Sequence, residues 1–252
     1  MKNSENKKIL VLSLAGIGNY LMQSPAIEAL RKAYPDSHIT LWVAPRGTRP
    51  LAKRNPHIDE VIELPIKSSL IGHLRTIYKL RTTHYSLGIV LSPGQLIKSA
   101  AYLFFAGIPK RIGHTYPLFG RETKLLLTDP IAENPTLHDI EQNLNLLTLL
   151  TSSGLQPASP SQGEAPLLTK ERSTLSEVGE VHYSLSIPLS AQKRADDLIS
   201  KLDIPTSKHL AGFHAGSAPN FLWKRWPRKY WVELGQLLIE KNYHVLIFGG
   251  PD

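Results

Sequence analysis

The chain has 252 residues, 42% of them hydrophobic and 20% charged, the balance of a soluble protein long enough for one large domain or two smaller ones. It contains no cysteine, which excludes a disulfide scaffold and a thiolate zinc site. Its 29 basic and 21 acidic residues leave a net charge of +8, suited to nucleotides, phosphorylated glycolipid, acidic membrane or nucleic acid, and equally to plain solubility.

After a polar start, Ile9 to Leu14 is a short run of Ile, Val and Leu, the pattern of a strand buried on both faces. It breaks at Ala15-Gly16-Ile17-Gly18-Asn19. Two glycines there predict a tight turn that a ligand can approach closely. The pair Ser24-Pro25 predicts a helix start, serine as cap and proline in the first turn. Ala26, Ile27, Ala29, Leu30, Ala33 and Tyr34 then share one helical face, and Pro35-Asp36 ends it. His38 to Ala44 is predicted as the next strand, completing a βαβ unit whose glycine turn sits where ligands bind in open α/β sheets. Lys7-Lys8 before the apolar run imitates a secretory leader, but Asn19 and Gln23 interrupt it. No segment is long and apolar enough to span a bilayer.

Pro45 to His57 is predicted as a basic loop and Val61 to Leu64 as a short strand. A helix follows over 70–81, with Ile71, Leu74, Ile77 and Tyr78 expected inward and Arg75, Lys79 and Arg81 outward. Tyr85 to Leu91 is a further strand, Leu96 to Ala106 an apolar helix, and Lys110 to His114 a short basic strand. A loop is expected up to His138, then a helix to Leu150. From Thr151 to about Glu180 the chain is rich in Ser, Pro, Gly and Glu, which predicts a flexible connection. Beyond it come a helix over 190–202, a strand at Leu210 to Phe213, a helix from Pro227 to Lys241 and a strand at His244 to Phe248. A second lobe of this length reads as incomplete, because an independent domain commonly needs roughly 100 residues.

Two stretches can carry chemistry. Gly16-x-Gly18 lacks the third glycine of a dinucleotide fingerprint, since position 21 is Leu, and no acidic residue closes the second strand. It is either a packing turn or a place where backbone N–H groups and Asn19 meet a substrate. The second stretch is His214-Ala-Gly-Ser217 with Trp223-Lys224-Arg225-Trp226-Pro227. A close glycine, a hydroxyl and two cations beside a helix start suit a pyrophosphate; the alternative is a solvated basic loop. The tryptophans either stack on a base or sugar or pack the lobe. No metal-ligand cluster or nucleophile elbow stands out, and the scattered His38, His73 and His84 read as structural or surface residues. Basic residues lack the aromatic interleaving of a single-strand binder, so no nucleic-acid partner is expected.

Taken in order, the opening strand with Gly16-Ile17-Gly18, Pro25-Ala26-Ile27, Leu30-Arg31-Lys32-Ala33-Tyr34-Pro35, Lys110-Arg111-Ile112-Gly113, His138-Asp139-Ile140-Glu141, His214-Ala-Gly-Ser217, Lys224-Arg225-Trp226-Pro227 and Phe248-Gly249-Gly250-Pro251 resemble the family 9 glycosyltransferases, the lipopolysaccharide heptosyltransferases. The resemblance implies an α/β fold of GT-B type. Residues 1–185 would be a Rossmann-like acceptor lobe with a parallel sheet, including the connection near 151–180. Residues 186–252 would be the truncated start of a second Rossmann-like lobe, for the nucleotide sugar. It implies inverting transfer of a heptose or related sugar from an ADP-activated donor to a lipopolysaccharide core or lipid A-type acceptor. No cofactor and no metal are implied. The protein would be bacterial and cytoplasmic, peripheral at the inner face of the cytoplasmic membrane.

By the same resemblance Lys224 stands at the donor phosphates, and Gly16, Gly18, Arg111, His214, Gly216, Ser217 and Arg225 are expected to bind substrate. Asn19 occupies the position where the family carries an aspartate as base. An amide can orient a hydroxyl but cannot take its proton at neutral pH. A catalytically inactive or truncated homologue that still binds nucleotide sugar or glycolipid is the alternative reading. A Rossmann-type oxidoreductase is a further rival, disfavoured by the incomplete dinucleotide fingerprint.

Overall fold

A computed structural model describes residues 7–44, 47–63, 69–92, 96–116, 124–150, 187–202, 204, 207–216, 223 and 225–249. The chain divides into two compact units, Met1–Ser186 and Ile187–Asp252. The connection expected near 151–180 lies outside the described residues.

Unit 1 is built on six strands: β1 (Lys8–Ser13), β2 (His38–Val43), β3 (Glu60–Glu63), β4 (Leu87–Val90), β5 (Lys110–Thr115) and β6 (Asp129–Ala132). They lie in the order β3-β2-β1-β4-β5-β6, every neighbouring pair parallel. This is the doubly wound order, which reverses direction beside β1. Alternation along β1 explains the unbroken apolar run. Ile9 and Val11 enter one core with α1 (Ile17–Ala33) and the end of α5 (Asp139–Leu147). Leu10 and Leu12 enter the other, with α3 (Leu70–Thr83) and α4 (Leu96–Phe105). A short helix, α2 (Thr48–Ala52), stands within the stretch expected to be loop.

Helix α1 starts at Ile17, not at Ser24-Pro25, and runs through Pro25. Proline cannot donate to the carbonyl four residues back. The Ser24 hydroxyl donates to that same carbonyl, Leu21 O, at 2.8 Å, so the orphaned acceptor is satisfied and the helix continues.

Two further expectations change. Strand β6 lies inside the segment predicted as loop. Among the described residues it pairs only with β5, and it carries Pro130, which an edge strand tolerates because one side has no strand to receive an N–H. On α3, Leu80 is buried and Ile77 packs against the core, whereas Ile71, Leu74 and Tyr78 are exposed.

Helix α4 crosses the sheet at Gly88. A Cβ there would stand 2.7 Å from Cδ2 of Leu103, a side chain with no solvent exposure. Gly88→Ala is therefore expected to lower the stability of unit 1 by about 1–3 kcal/mol through overpacking, read as a shift of the urea midpoint against the parent protein.

Unit 2 holds α6 (Leu189–Ser200), β7 (His209–His214), α7 (Arg228–Glu240) and β8 (Tyr243–Phe248). Strands β7 and β8 are parallel, registered from His209↔Tyr243 to His214↔Phe248. With α7 between them they make a second βαβ unit.

Candidate functional site

Parallel strands β1, β4 and β5 end on one edge of the sheet, and the residues following them bring polar groups together there. Gly16 caps α1 with φ −77° and ψ −178°, extended backbone that any residue adopts. Neither Gly16 nor Gly18 has a positive φ, so the turn itself does not require glycine. A Cβ added at either would meet nothing within 4 Å. Their missing side chains leave open space over the helix start. Tyr20 N–H donates to Gly16 O at 3.0 Å as the first helical bond, which leaves the N–H groups of Ile17, Gly18 and Asn19 outside the helical ladder. The first turn carries no acidic residue. The positive end of the helix therefore faces that space with half-buried Asn19 at its rim.

A buried clasp holds this edge together. The Ser13 hydroxyl donates to Gln23 Oε1, and Gln23 Nε2 donates to Ser92 O at 3.0 Å. Asn143, on α5, takes the Ser92 N–H and gives a hydrogen bond back to Ser92 O, both at 2.8 Å. Ser92 Oγ lies 2.8 Å from the Tyr116 hydroxyl. The segments after β1, β4 and β5 are thus tied through Ser92. Sequence reasoning passed over Ser13, Ser92, Tyr116 and Asn143 and treated Gln23 as an interruption. The available signal was a polar residue at each of several otherwise apolar positions.

His114, on β5, is 1% exposed, with neither ring nitrogen hydrogen-bonded in normal geometry. Burial lowers its pKa to about 4, the nearby Gln142 backbone opposing this in part. A histidine whose folded pKa is depressed is protonated more readily in the unfolded chain. Its contribution to stability is intact above about pH 6.5 and is lost as the pH falls toward 4, by about 3 kcal/mol in all. His114→Gln is expected to flatten most of that slope in urea melts taken across the window. His57, also lowered, chiefly by burial, contributes a remainder of the same sign.

Arg111 stands near the amino end of β5. Its Nε donates to Leu126 O at 2.7 Å and its Nη1 to Ile108 O at 2.6 Å, and the guanidinium lies 5.4 Å from the Phe104 ring centre. Those bonds anchor the chain on either side of β5 through two of the five guanidinium N–H donors. The His138-Asp139-Ile140-Glu141 stretch is a capping box: His138 Nδ1 accepts from Ile140 N–H and Glu141 accepts from His138 N–H.

In unit 2, His214 ends β7 and is exposed, followed by Ala215 and Gly216. A hollow of about 880 Å³ opens beside them, its lining including Phe213, Ala215, Arg225, Trp226, Trp231 and Ile247. Trp226 stacks on Tyr230 with centroids 5.6 Å apart and meets Trp231 edge-on at 5.2 Å. This tryptophan packs its own lobe. Ser217 and Lys224 lie outside the described residues.

A doubly wound parallel lobe followed by a second βαβ unit defines a Rossmann-like α/β protein. The sequence profile of glycosyltransferase family 9 (heptosyltransferase) matches residues 73–252, and the chain belongs to that family. Lipopolysaccharide heptosyltransferase 2 of Escherichia coli K12 is 28% identical over 246 residues, which are 96% of this chain and 63% of that protein. The chain thus spans less than two thirds of that relative's length. The solved structure of the glycosyl transferase family 9 protein of Veillonella parvula superposes with a TM-score of 0.71 at 22% identity, covering 99% of this chain and 64% of that one. The E. coli ADP-heptose lipopolysaccharide heptosyltransferase II structure gives 0.64 at 24% identity, covering 97% and 65%. The fold is α/β, of the GT-B type of these transferases.

Proposed function

We propose that this protein transfers a heptose or related sugar from an ADP-activated donor to a lipopolysaccharide core acceptor, inverting the anomeric centre. The observation that carries the reading is the family 9 match across residues 73–252. The open, positively polarised start of α1 adds a place for the acceptor in unit 1. Residues 1–185 would hold the acceptor and 186–252 the nucleotide sugar. Gly16 and Gly18 leave room for the acceptor, whose hydroxyl Asn19 would orient. His214, Gly216 and Ser217 would line the donor, and Lys224 with Arg225 would meet the charge that develops on the departing diphosphate. An acceptor of this kind implies a cytoplasmic protein working at the inner face of the membrane.

Asn19 favours one second reading: a homologue that binds nucleotide sugar or glycolipid without turnover. Transfer of labelled heptose from ADP-heptose to a core acceptor, by the protein purified as its own cell makes it, separates the two. Labelled product establishes the transferase. Binding of ADP-heptose without product establishes the binding protein.

A further inference from the structure

We propose that the outer faces of α3 and α4 form a docking surface for an anionic lipid bilayer. The proposal deepens the reading above by naming a partner surface, and it stands on observations independent of catalysis.

Both helices cover one face of the unit 1 sheet, sharing a core through Leu80, Tyr102 and Leu103 and a hydrogen bond between His73 and Tyr102. Their outward faces are not the polar surfaces such helices usually present. Leu70 is 75% exposed, Tyr78 71%, and Leu74 and Phe105 each 56%. At 100° per residue Leu70, Leu74, Tyr78 and Ile71 form one stripe, flanked by exposed Arg75 and Lys79. On α4, Ile97, Phe104 and Phe105 are exposed beside Lys98, the two phenylalanines edge-to-face at 5.5 Å. The chain around Leu126, bonded to Arg111 beside Phe104, adds exposed Leu125 and Lys124.

Charge selects the occupant. Residues 64–121 contain eight Lys or Arg and no Asp or Glu. The charged residues of α3 and α4 are all cations, and an apolar and aromatic stripe beside them fits the headgroup boundary of an anionic bilayer, where rings insert shallowly and Lys and Arg reach phosphates. A second copy fits poorly, because a two-fold contact sets a patch against itself and would bring like charges together.

The test is flotation of the protein, as its own cell makes it, with vesicles of phosphatidylglycerol and phosphatidylethanolamine or of phosphatidylcholine alone. Neither contains a sugar acceptor. Binding is expected to the anionic vesicles only, and to weaken with salt. Arg75→Glu/Lys79→Glu is expected to lower partitioning at least tenfold, and Leu74→Ser/Tyr78→Ser to lower it at unchanged charge. These side chains are exposed, and a thermal melt checks that each variant folds. Failure of the parent protein to float, equal flotation with neutral vesicles, unchanged partitioning in both variants, or a parent dimer that either variant dissociates would each overturn the proposal. Sugar transfer assayed on the same samples with a water-soluble acceptor tests the transferase reading separately, since lipid binding requires no donor.

Discussion

Asn19→Asp is expected to raise the rate of sugar transfer by about 10²-fold, the lower end of what a positioned general base contributes. The residue lies in the first turn of α1, where backbone N–H groups point into open space and no acidic side chain balances them. A carboxylate there is stabilised by the helix terminus, by about 0.3–1 kcal/mol. It stays ionised at neutral pH but is made less basic, which is why the lower end is expected. Because the exchange is nearly isosteric at a half-buried position, the melting temperature is expected to hold or rise slightly. Steady-state transfer with the parent and variant side by side gives the answer. Equal rates would show that this side chain is not the limiting base, and another group would then have to take the acceptor proton.

The second large effect is expected at Lys224. If its ammonium meets the donor diphosphate, Lys224→Ala removes a charged hydrogen bond worth about 1.5–3 kcal/mol, a loss of roughly 10- to 150-fold in ADP affinity. Calorimetric titration with ADP measures this directly. Lys193→Ala, which removes an exposed cation on α6, controls for net charge. Equal affinities in the parent and Lys224→Ala would end the phosphate assignment and leave Arg225 as the cation to test next.

Much of unit 1 was legible because parallel strands covered on both faces must be apolar throughout. Ile9 to Leu14 and His38 to Ala44 announce themselves in this way, and the glycines after the first of them marked the carboxyl edge of the sheet. Boundaries were harder to read. Ser24-Pro25 has the composition of a helix start, yet Ser24 serves as a substitute donor within a helix begun at Ile17. Strand β6 was hidden by Pro130, which is acceptable only at an edge, and an edge is a property of the sheet.

The candidate site divides the same way. Gly16, Gly18 and Asn19 are contiguous and visible in a line of sequence. The clasp through Ser13, Gln23, Ser92, Tyr116 and Asn143 is made of single bonds that span up to 69 residues of chain. Its members gain meaning only when burial removes water and forces each donor to find an acceptor. Arg111 adds a role that the sequence did not show: its side chain is bonded to two backbone carbonyls.

By itself, the sequence determined the α/β class, most of the succession of strands and helices, the glycine edge and the family, because all of these rest on local spacing and contiguous motifs. The tertiary structure alone decided which faces are covered. Helical periodicity places Leu70, Leu74 and Tyr78 on one stripe, but whether a stripe meets the sheet or solvent depends on where the helix sits against strands distant in the chain. In this fold the stripe faces outward.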